Sequence, residues 1–359
     1  MKKVKVLIVD DSMLIRDILT EILSASPEID VVGSAEDPYQ ARQMIKDLNP
    51  DVLTLDVEMP KMNGIAFLRN LMRLRPMPVL MISTLTTEGS HVTMQALELG
   101  AVDFIEKPKN LGLMMSEYGQ QIRDRVLSTA TVSLEKLQAF QDRLRASSQD
   151  AKRKTNPPVV AIGNKVTARQ LLAVGGSTGS LEALRYLLEQ VTFVGNEALV
   201  VSLHLPGKFT KSYAERLDGL LPLKVVEASH GDIVREGHIY IAQGGRHMEI
   251  KQRGSGFQIV ISDSEPVNLH RPSVDVLFKS VANMGNKNVT GLLLTGMGKD
   301  GARGLLEMAS VGMQTYAQDE QSSVIWGMPG RAAELGAVAN DNILSLEQLA
   351  NRFAKIFNR

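Results

Sequence analysis

The feature that most restricts the fold is an alternation of short apolar runs rich in β-branched residues with amphipathic stretches. In the first half these read "VKVLIVDD", "LIRDILTEIL", "DVVGSAED", "YQARQMIKDL", "DVLTLDVEMP", "GIAFLRNLMRL", "PVLMIST", "MQALELG" and "AVDFIEKP". Each helix carries the chain back to the same end of the sheet, so such a series builds βαβ units and a parallel sheet. It predicts a five-stranded doubly wound α/β domain over residues 1–125. A second series, "LLAVGGS", "ALVVSLHLP", "HIYIAQ", "VTGLLLTGMG" and "GMQTYAQD", predicts another α/β parallel-sheet domain over 169–359. Between them "SLEKLQAFQDRL" spaces Leu134, Leu137, Phe140 and Leu144 helically, and "RASSQDAKRKTNPP" is polar and ends in two prolines. Residues 126–168 therefore read as a part-helical linker. A chain of 359 residues also exceeds what one core usually organises.

Composition narrows the function classes. Lysine plus arginine (40) balance aspartate plus glutamate (40), so no overall field favours nucleic acid or an anionic membrane. Cysteine is absent, which removes disulfides and thiolate metal sites and suits a reducing compartment. The opening "MKKVKVLIVDDS" starts like a signal peptide, but Asp10 and Asp11 interrupt its apolar stretch. No segment approaches the roughly 18 apolar residues of a membrane span. The expectation is a cytoplasmic protein without direct membrane insertion.

Ligand sites of open parallel sheets lie at the carboxyl ends of strands. Asp10 and Asp11 close the first predicted strand, Asp56 the third, Ser83 the fourth and Lys107 the fifth. Clustered carboxylates repel unless a cation is present, and hard oxygen donors favour Mg²⁺, which retains water and binds phosphate. The implied chemistry is phosphoryl transfer to Asp56, with Lys107 on the phosphoryl oxygens and Ser83 hydrogen-bonded to the product. Any one of these residues alone is more readily a turn residue or a solvated charge. Together "VDDS", "LDVEMPKMNG", "MIST" and "FIEKP" resemble the receiver domain of two-component response regulators. The resemblance implies a flavodoxin-like fold with Asp56 as phospho-acceptor. It further implies Mg²⁺ held by Asp11, Asp56 and the carbonyl of Glu58, Asp10 in support, and Phe104 at a switch position often occupied by tyrosine.

In the second half "LLAVGGSTGSLEAL" ends an apolar run in a glycine loop before a helical pattern. The loop lacks the Gly-Lys-Ser/Thr of a phosphate-binding loop, and Ser177 replaces the middle glycine of a dinucleotide fingerprint. It matches the G-x-S-x-G elbow that exposes a serine at a strand-to-helix turn. A serine nucleophile needs a base and an orienting acid. His204 ends the next apolar strand, and Asp300 follows a later one in "LLLTGMGKDG". Each alone has a bland reading as a strand-end or turn residue; their joint placement favours catalysis. The glycines around Met297 leave backbone N–H groups for an oxyanion. The chain order Ser, His, Asp differs from the Ser, Asp, His order of α/β-hydrolases. The other histidines, His91, His230, His238, His247 and His270, show no metal-ligand spacing, and solvated or structural roles suffice for most.

With "HLPGKFTKSYAERLD", "HRPSVDVLF", "TGMGKDGARGL" and "QDEQSSVIWGMPGRA" added, the chain resembles the chemotaxis response-regulator protein-glutamate methylesterase/protein-glutamine glutaminase family over both halves. By position the resemblance puts Ser177, His204 and Asp300 on that family's triad and the Met297 N–H on its oxyanion site. It implies phosphorylation-activated hydrolysis of glutamate methyl esters on methyl-accepting chemotaxis receptors, deamidation of selected glutamines, a chemotaxis histidine kinase as phosphodonor, and no metal in the esterase chemistry. Ser180, Leu205 and Gln243 stand where the family usually has glycine, methionine or isoleucine, and proline. Two rivals make different demands. A DNA-binding regulator needs a helix-turn-helix and a basic stripe, and a pure docking protein would carry an inert triad.

Overall fold

The computed structural model describes residues 2–59, 62–83, 87–107, 117–136, 138–139, 142, 167–191 and 197–357. The chain divides into two compact units, Met1–Gln141 and Asp142–Arg359. Leu137, Phe140, Leu144 and most of the expected linker lie outside the described residues.

The first unit is a parallel sheet of β1 (Val4–Val9), β2 (Ile29–Ala35), β3 (Val52–Leu55), β4 (Val79–Ser83) and β5 (Asp103–Glu106), in the order β2-β1-β3-β4-β5. β3 and β4 are buried at every position, which is why their sequences run apolar without alternation. The helices are amphipathic instead. α1 (Met13–Ser24) buries Leu19, Ile22 and Leu23 on one stripe. α2 (Pro38–Leu48) starts where Asp37 accepts from the Tyr39 and Gln40 N–H groups, with Pro38 supplying a first residue that needs no donor. α3 (Gly64–Leu74), α4 (Thr87–Leu99) and α5 (Glu117–Ala130) complete the unit. Arg125, the expected end of the domain, falls inside α5, where its guanidinium meets Asp103 Oδ2 at 3.0 Å and the Phe104 carbonyl at 2.8 Å.

The second unit holds a seven-stranded sheet ordered β14-β13-β12-β6-β7-β9-β8, with every neighbouring pair parallel. Its strands are β6 (Gln170–Gly176), β7 (Glu197–Leu203), β8 (Lys224–Glu227), β9 (His238–Ile241), β12 (Val289–Leu293), β13 (Gln314–Gln318) and β14 (Ile343–Leu344). A separate antiparallel hairpin joins β10 (His247–Arg253) to β11 (Gly256–Ser262). Sequence reading found five of these strands and missed β8, β14 and the hairpin. β8 is a four-residue edge strand, and β10, "HMEIKQR", carries polar and charged residues that break up its apolar signal. The helices are α6 (Ser180–Gln190), α7 (Gly207–Leu220), α8 (Val274–Ala282), α9 (Ala302–Ser310), α10 (Met328–Glu334) and α11 (Leu346–Phe357). No described helix is long and apolar enough to cross a membrane.

Each sheet has a switch point, where the strands on its two sides are reached by moving in opposite directions from one central strand. In the first it lies between β1 and β3, and in the second between β6 and β12. Connections leave such a pair to opposite sides, which opens a crevice at the carboxyl ends of the two strands.

Candidate functional site

At the first crevice stand the residues that follow β1 and β3. Lys107 Nζ lies 2.7 Å from Asp10 Oδ2 and 2.8 Å from Asp56 Oδ2. Asp56 Oδ1 accepts the Val57 N–H at 2.8 Å, and Asp10 Oδ1 accepts the Ser12 N–H at 3.0 Å. Burial pushes the Asp56 carboxyl up to about 6, with Asp10 adding to the rise and Lys107 opposing it. Asp10 is raised by the same burial. Burial works against the Lys107 charge, but the two carboxylates outweigh it and hold the ammonium above its ordinary range. Ser83 closes β4 at this edge, Phe104 is buried within β5, and the Lys107 N–H donates to the Ser83 carbonyl at 2.8 Å.

Oxygen atoms of Asp10, Asp11 and Asp56 lie within 4.8 Å of one another, two of the three residues being buried. Three carboxylates against one ammonium leave negative charge in a partly desolvated place, and all the donors are hard oxygens. The residues therefore fit a Mg²⁺ ion. Asp10, expected only in support, belongs to this oxygen cluster; Glu58 is exposed, and its N–H donates to Asp56.

At the second crevice, register brings Ser177 and His204 to the same end of adjacent strands. β6 pairs with β7 so that Gly176 faces Leu203, and Ser177 and His204 are the next residue of each chain segment. Ser177 Oγ lies 3.1 Å from His204 Nδ1, and His204 Nε2 lies 2.8 Å from Asp300 Oδ2. Asp300 arrives from the loop after β12, the neighbour of β6 on its other side. The elbow is tight: a Cβ on Gly175 would sit 2.1 Å from a Val274 methyl, and Gly179 has φ +78°, a left-handed value favoured by glycine. Its turn ends in α6, where the Ser180 N–H donates to the Ser177 carbonyl at 2.9 Å and the Ser180 hydroxyl donates to the same oxygen.

The His204 side chain is only 2% exposed, so its orientation is set by partners rather than water. An imidazole that donates from Nε2 to Asp300 must carry its lone pair on Nδ1, toward Ser177. Asp300 is held in turn by its own donors. Its Oδ1 accepts from Ser273 Oγ at 2.7 Å, Asn268 Nδ2 at 2.7 Å and the Asp275 N–H at 3.2 Å, and its Oδ2 accepts from the Val274 N–H at 2.7 Å. The backbone donors are the free N–H groups at the start of α8, whose dipole favours a negative charge. Burial opposes ionisation of Asp300, but the His204 contact and the hydrogen bonds of Ser273 and Asn268 outweigh it and hold the carboxyl well below the usual carboxylate range. Asp275 differs. Burial raises its carboxyl, Asp300 adds to the rise, and its bonds to Asn268 and the Gly304 N–H only partly offset it.

Several supports were invisible to sequence reasoning. Asn268 bridges the two carboxylates. His247, fully buried, accepts the Ser273 N–H on Nδ1 at 3.1 Å and donates from Nε2 to the Glu265 carbonyl at 3.0 Å, so the missed hairpin fixes the turn that holds Asp300. Asn268 and Leu269 have φ of +53° and +66°. Each such residue costs roughly 1–2 kcal/mol, while hydrogen bonds to charged groups return about 1.5–3 kcal/mol. The one hint in the sequence was the stretch "HRPSVDVLF".

Met297 follows Gly296, whose Cα packs against Ser177: a Cβ there would sit 2.9 Å from Ser177 Cβ. Met297 is half-buried, and among the described residues no group accepts from its N–H. The Ser177 N–H is already spent on the Thr295 carbonyl at 3.1 Å. Of these two amides, only that of Met297 lacks an acceptor among the described residues.

A doubly wound unit with an acidic crevice, followed by a parallel-sheet unit with a serine, histidine and aspartate in hydrogen-bonded series, defines a response regulator with a hydrolase-type output. The chain belongs to the CheB methylesterase family, whose profile matches residues 172–353, and the response regulator receiver domain profile matches residues 6–118. It is 51% identical over 351 residues to protein-glutamate methylesterase/protein-glutamine glutaminase 1 of Hahella chejuensis, covering 97% of this chain and 95% of that one. The Salmonella typhi protein-glutamate methylesterase/protein-glutamine glutaminase is 45% identical, over 99% of this chain and 98% of its own. The crystal structure of the Thermotoga maritima CheB methylesterase catalytic domain superposes with a TM-score of 0.50 at 30% identity, covering 53% of this chain and all of that one.

Proposed function

We propose that this chain hydrolyses γ-methyl esters of glutamate side chains on methyl-accepting chemotaxis receptors, in the cytoplasm, and deamidates glutamines at the same centre. The observation that carries the reading is the Ser177–His204–Asp300 series at a switch point in a chain of this family. Ser177 Oγ attacks the ester carbonyl carbon while His204 Nδ1 takes its proton. The tetrahedral oxyanion faces the Met297 N–H. His204 returns the proton to the departing methoxide, and methanol leaves; from an amide the leaving group is ammonia. Water then attacks the acyl-serine with His204 again as base, releasing the glutamate carboxylate and free Ser177. Asp300 keeps its charge throughout and stabilises the imidazolium.

Regulation is assigned to the first unit. Asp56 accepts a phosphoryl group from a histidine kinase, its carboxylate oxygen bonding to phosphorus as the donor's bond breaks. Asp11, Asp56 and the Glu58 carbonyl would hold Mg²⁺, with Asp10 in support; bound there, the ion supplies neutralisation of phosphoryl charge. Lys107 holds a phosphoryl oxygen, Ser83 hydrogen-bonds the product and Phe104 repacks, and this state speeds the hydrolase. Mass spectrometry of methylated receptor incubated with the protein tests the reading: each ester should revert to a free glutamate, with methanol released. Receptor esters left intact by folded, phosphorylated protein would refute it.

A further inference from the structure

The turn that reaches over the catalytic pair carries a second imidazole. His270 stacks on His204 with ring centroids 3.5 Å apart and ring planes 9° from parallel. His204 therefore has its two ring nitrogens fixed in the plane by Ser177 and Asp300, and one face of its ring covered by His270.

The backbone that presents His270 is closed on itself. The His270 N–H donates to the Val267 carbonyl at 3.0 Å, and the Val267 N–H donates to the His270 carbonyl at 3.1 Å. Between them Asn268 and Leu269 both have positive φ, the sign pattern of a type I′ turn, where Asn-Gly is the usual pair. Leucine is an unfavourable choice for the second position, and Leu269 is 62% exposed, so burial of its side chain does not explain it. The turn does place its two flanking functional groups. Asn268 reaches Asp300 Oδ1 on one side, and His270 covers His204 on the other. Arg271 fastens the same loop through the Asp263 and Ser264 carbonyls, each at 3.1 Å. Backbone strain kept by surrounding contacts is a frequent mark of a functional site.

We propose that His270 is a positioning residue for the catalytic base, its ring stacking on His204 so that Nδ1 stays aimed at Ser177 Oγ when Nε2 is bound to Asp300. The inference rests on the Ser177–His204–Asp300 reading and adds a fourth member to it. His204 must pass through an imidazolium state without rotating. A ring lying flat on its face restricts tilting out of the Ser177–Asp300 plane, and its π-surface accommodates the transient positive charge. Hydrogen bonds at Nδ1 and Nε2 alone define an axis about which an imidazole can still rock.

The test is the rate at which a fluorophosphonate probe labels Ser177 in the full chain, measured against probe concentration to separate maximal rate from half-saturation. His270→Ala should lower the maximal rate by about tenfold, the equivalent of one ring contact, with half-saturation unchanged. His270→Phe, which restores a flat ring without a titrating group, should recover to within about threefold of wild type. His270→Leu keeps bulk without a ring; it should behave as His270→Ala and replaces that variant if alanine unfolds the turn. A wild-type maximal rate in His270→Ala or His270→Leu, or a folded His270→Phe as slow as either, overturns the proposal. Ser177→Ala separates the two readings. If it loses all labelling while the His270 variants match wild type, only the role of His270 fails; if it is labelled like wild type, the triad fails and this inference with it.

Discussion

Asn268 donates to Asp300 across 2.7 Å and to Asp275 across 2.8 Å, so one amide group bridges two carboxylates. Asn268→Ala removes a hydrogen bond to a charged group, worth about 1.5–3 kcal/mol. Methanol release from methylated receptor should fall by about one to two orders of magnitude. Asn268→Asp should be worse, because a third carboxylate replaces the donor. Equal turnover in wild type and both variants would show that the bridge has no catalytic consequence.

The triad itself makes a graded prediction. Ser177→Ala or His204→Ala should lower turnover by about 10⁶, and Asp300→Asn by about 10⁴, since the orienting acid is the less critical member. Steady-state kinetics on one methylated receptor preparation checks the ranking. Near-normal hydrolysis by folded Ser177→Ala protein would end the assignment.

Asp300 also predicts a pH dependence of stability. Its carboxyl titrates below the ordinary value in the folded chain, so folding favours the charged form. The resulting stability is complete above the unfolded carboxyl value of about 3.9 and is lost as pH falls through the folded one. The urea midpoint of Asp300→Asn should therefore lie well below that of wild type at neutral pH, and the gap should narrow below about pH 4. A gap of constant size from neutral pH to pH 3 contradicts this.

Gly296 packs directly against Ser177, the proposed nucleophile. A Cβ on it would sit 2.4 Å from Met328 Sδ and 2.9 Å from Ser177 Cβ. Gly296→Ala must displace the elbow or the Met297 segment, costing about 1–3 kcal/mol by overpacking. Both the thermal midpoint and turnover should drop. A variant with wild-type values of both would mean that the close approach is idle.

Asp56 gives the regulatory test. Acetyl phosphate with Mg²⁺ should place a base-labile label on wild type and speed its ester hydrolysis, whereas Asp56→Asn should acquire neither the label nor the acceleration. A Mg²⁺-dependent label persisting on Asp56→Asn would move the acceptor elsewhere.

The sequence alone determined the parallel α/β class of both units, all five strands of the first sheet and five of the seven in the second, because strands buried on both faces leave uninterrupted apolar runs and amphipathic helices leave a 3.6-residue period. It also marked Asp10, Asp11, Asp56, Ser83 and Lys107, and Ser177, His204 and Asp300, since residues at strand ends share the edge where parallel sheets form their crevices. Local pattern carries both signals. What it does not carry is contact between segments far apart in the chain. Asn268 and Ser273 meet Asp300, and His270 meets His204, only because α8 packs against β10 of the hairpin and against β6 and β7. β10 went unread for a related reason: its identity lies in pairing with β11 and in His247 supporting Ser273, while its outward face is as polar as a loop. The tertiary structure alone decided how the acid is desolvated yet kept charged. That outcome depends on the balance between burial and donors gathered from His204, Asn268, Ser273 and the start of α8, and no one of those segments encodes it.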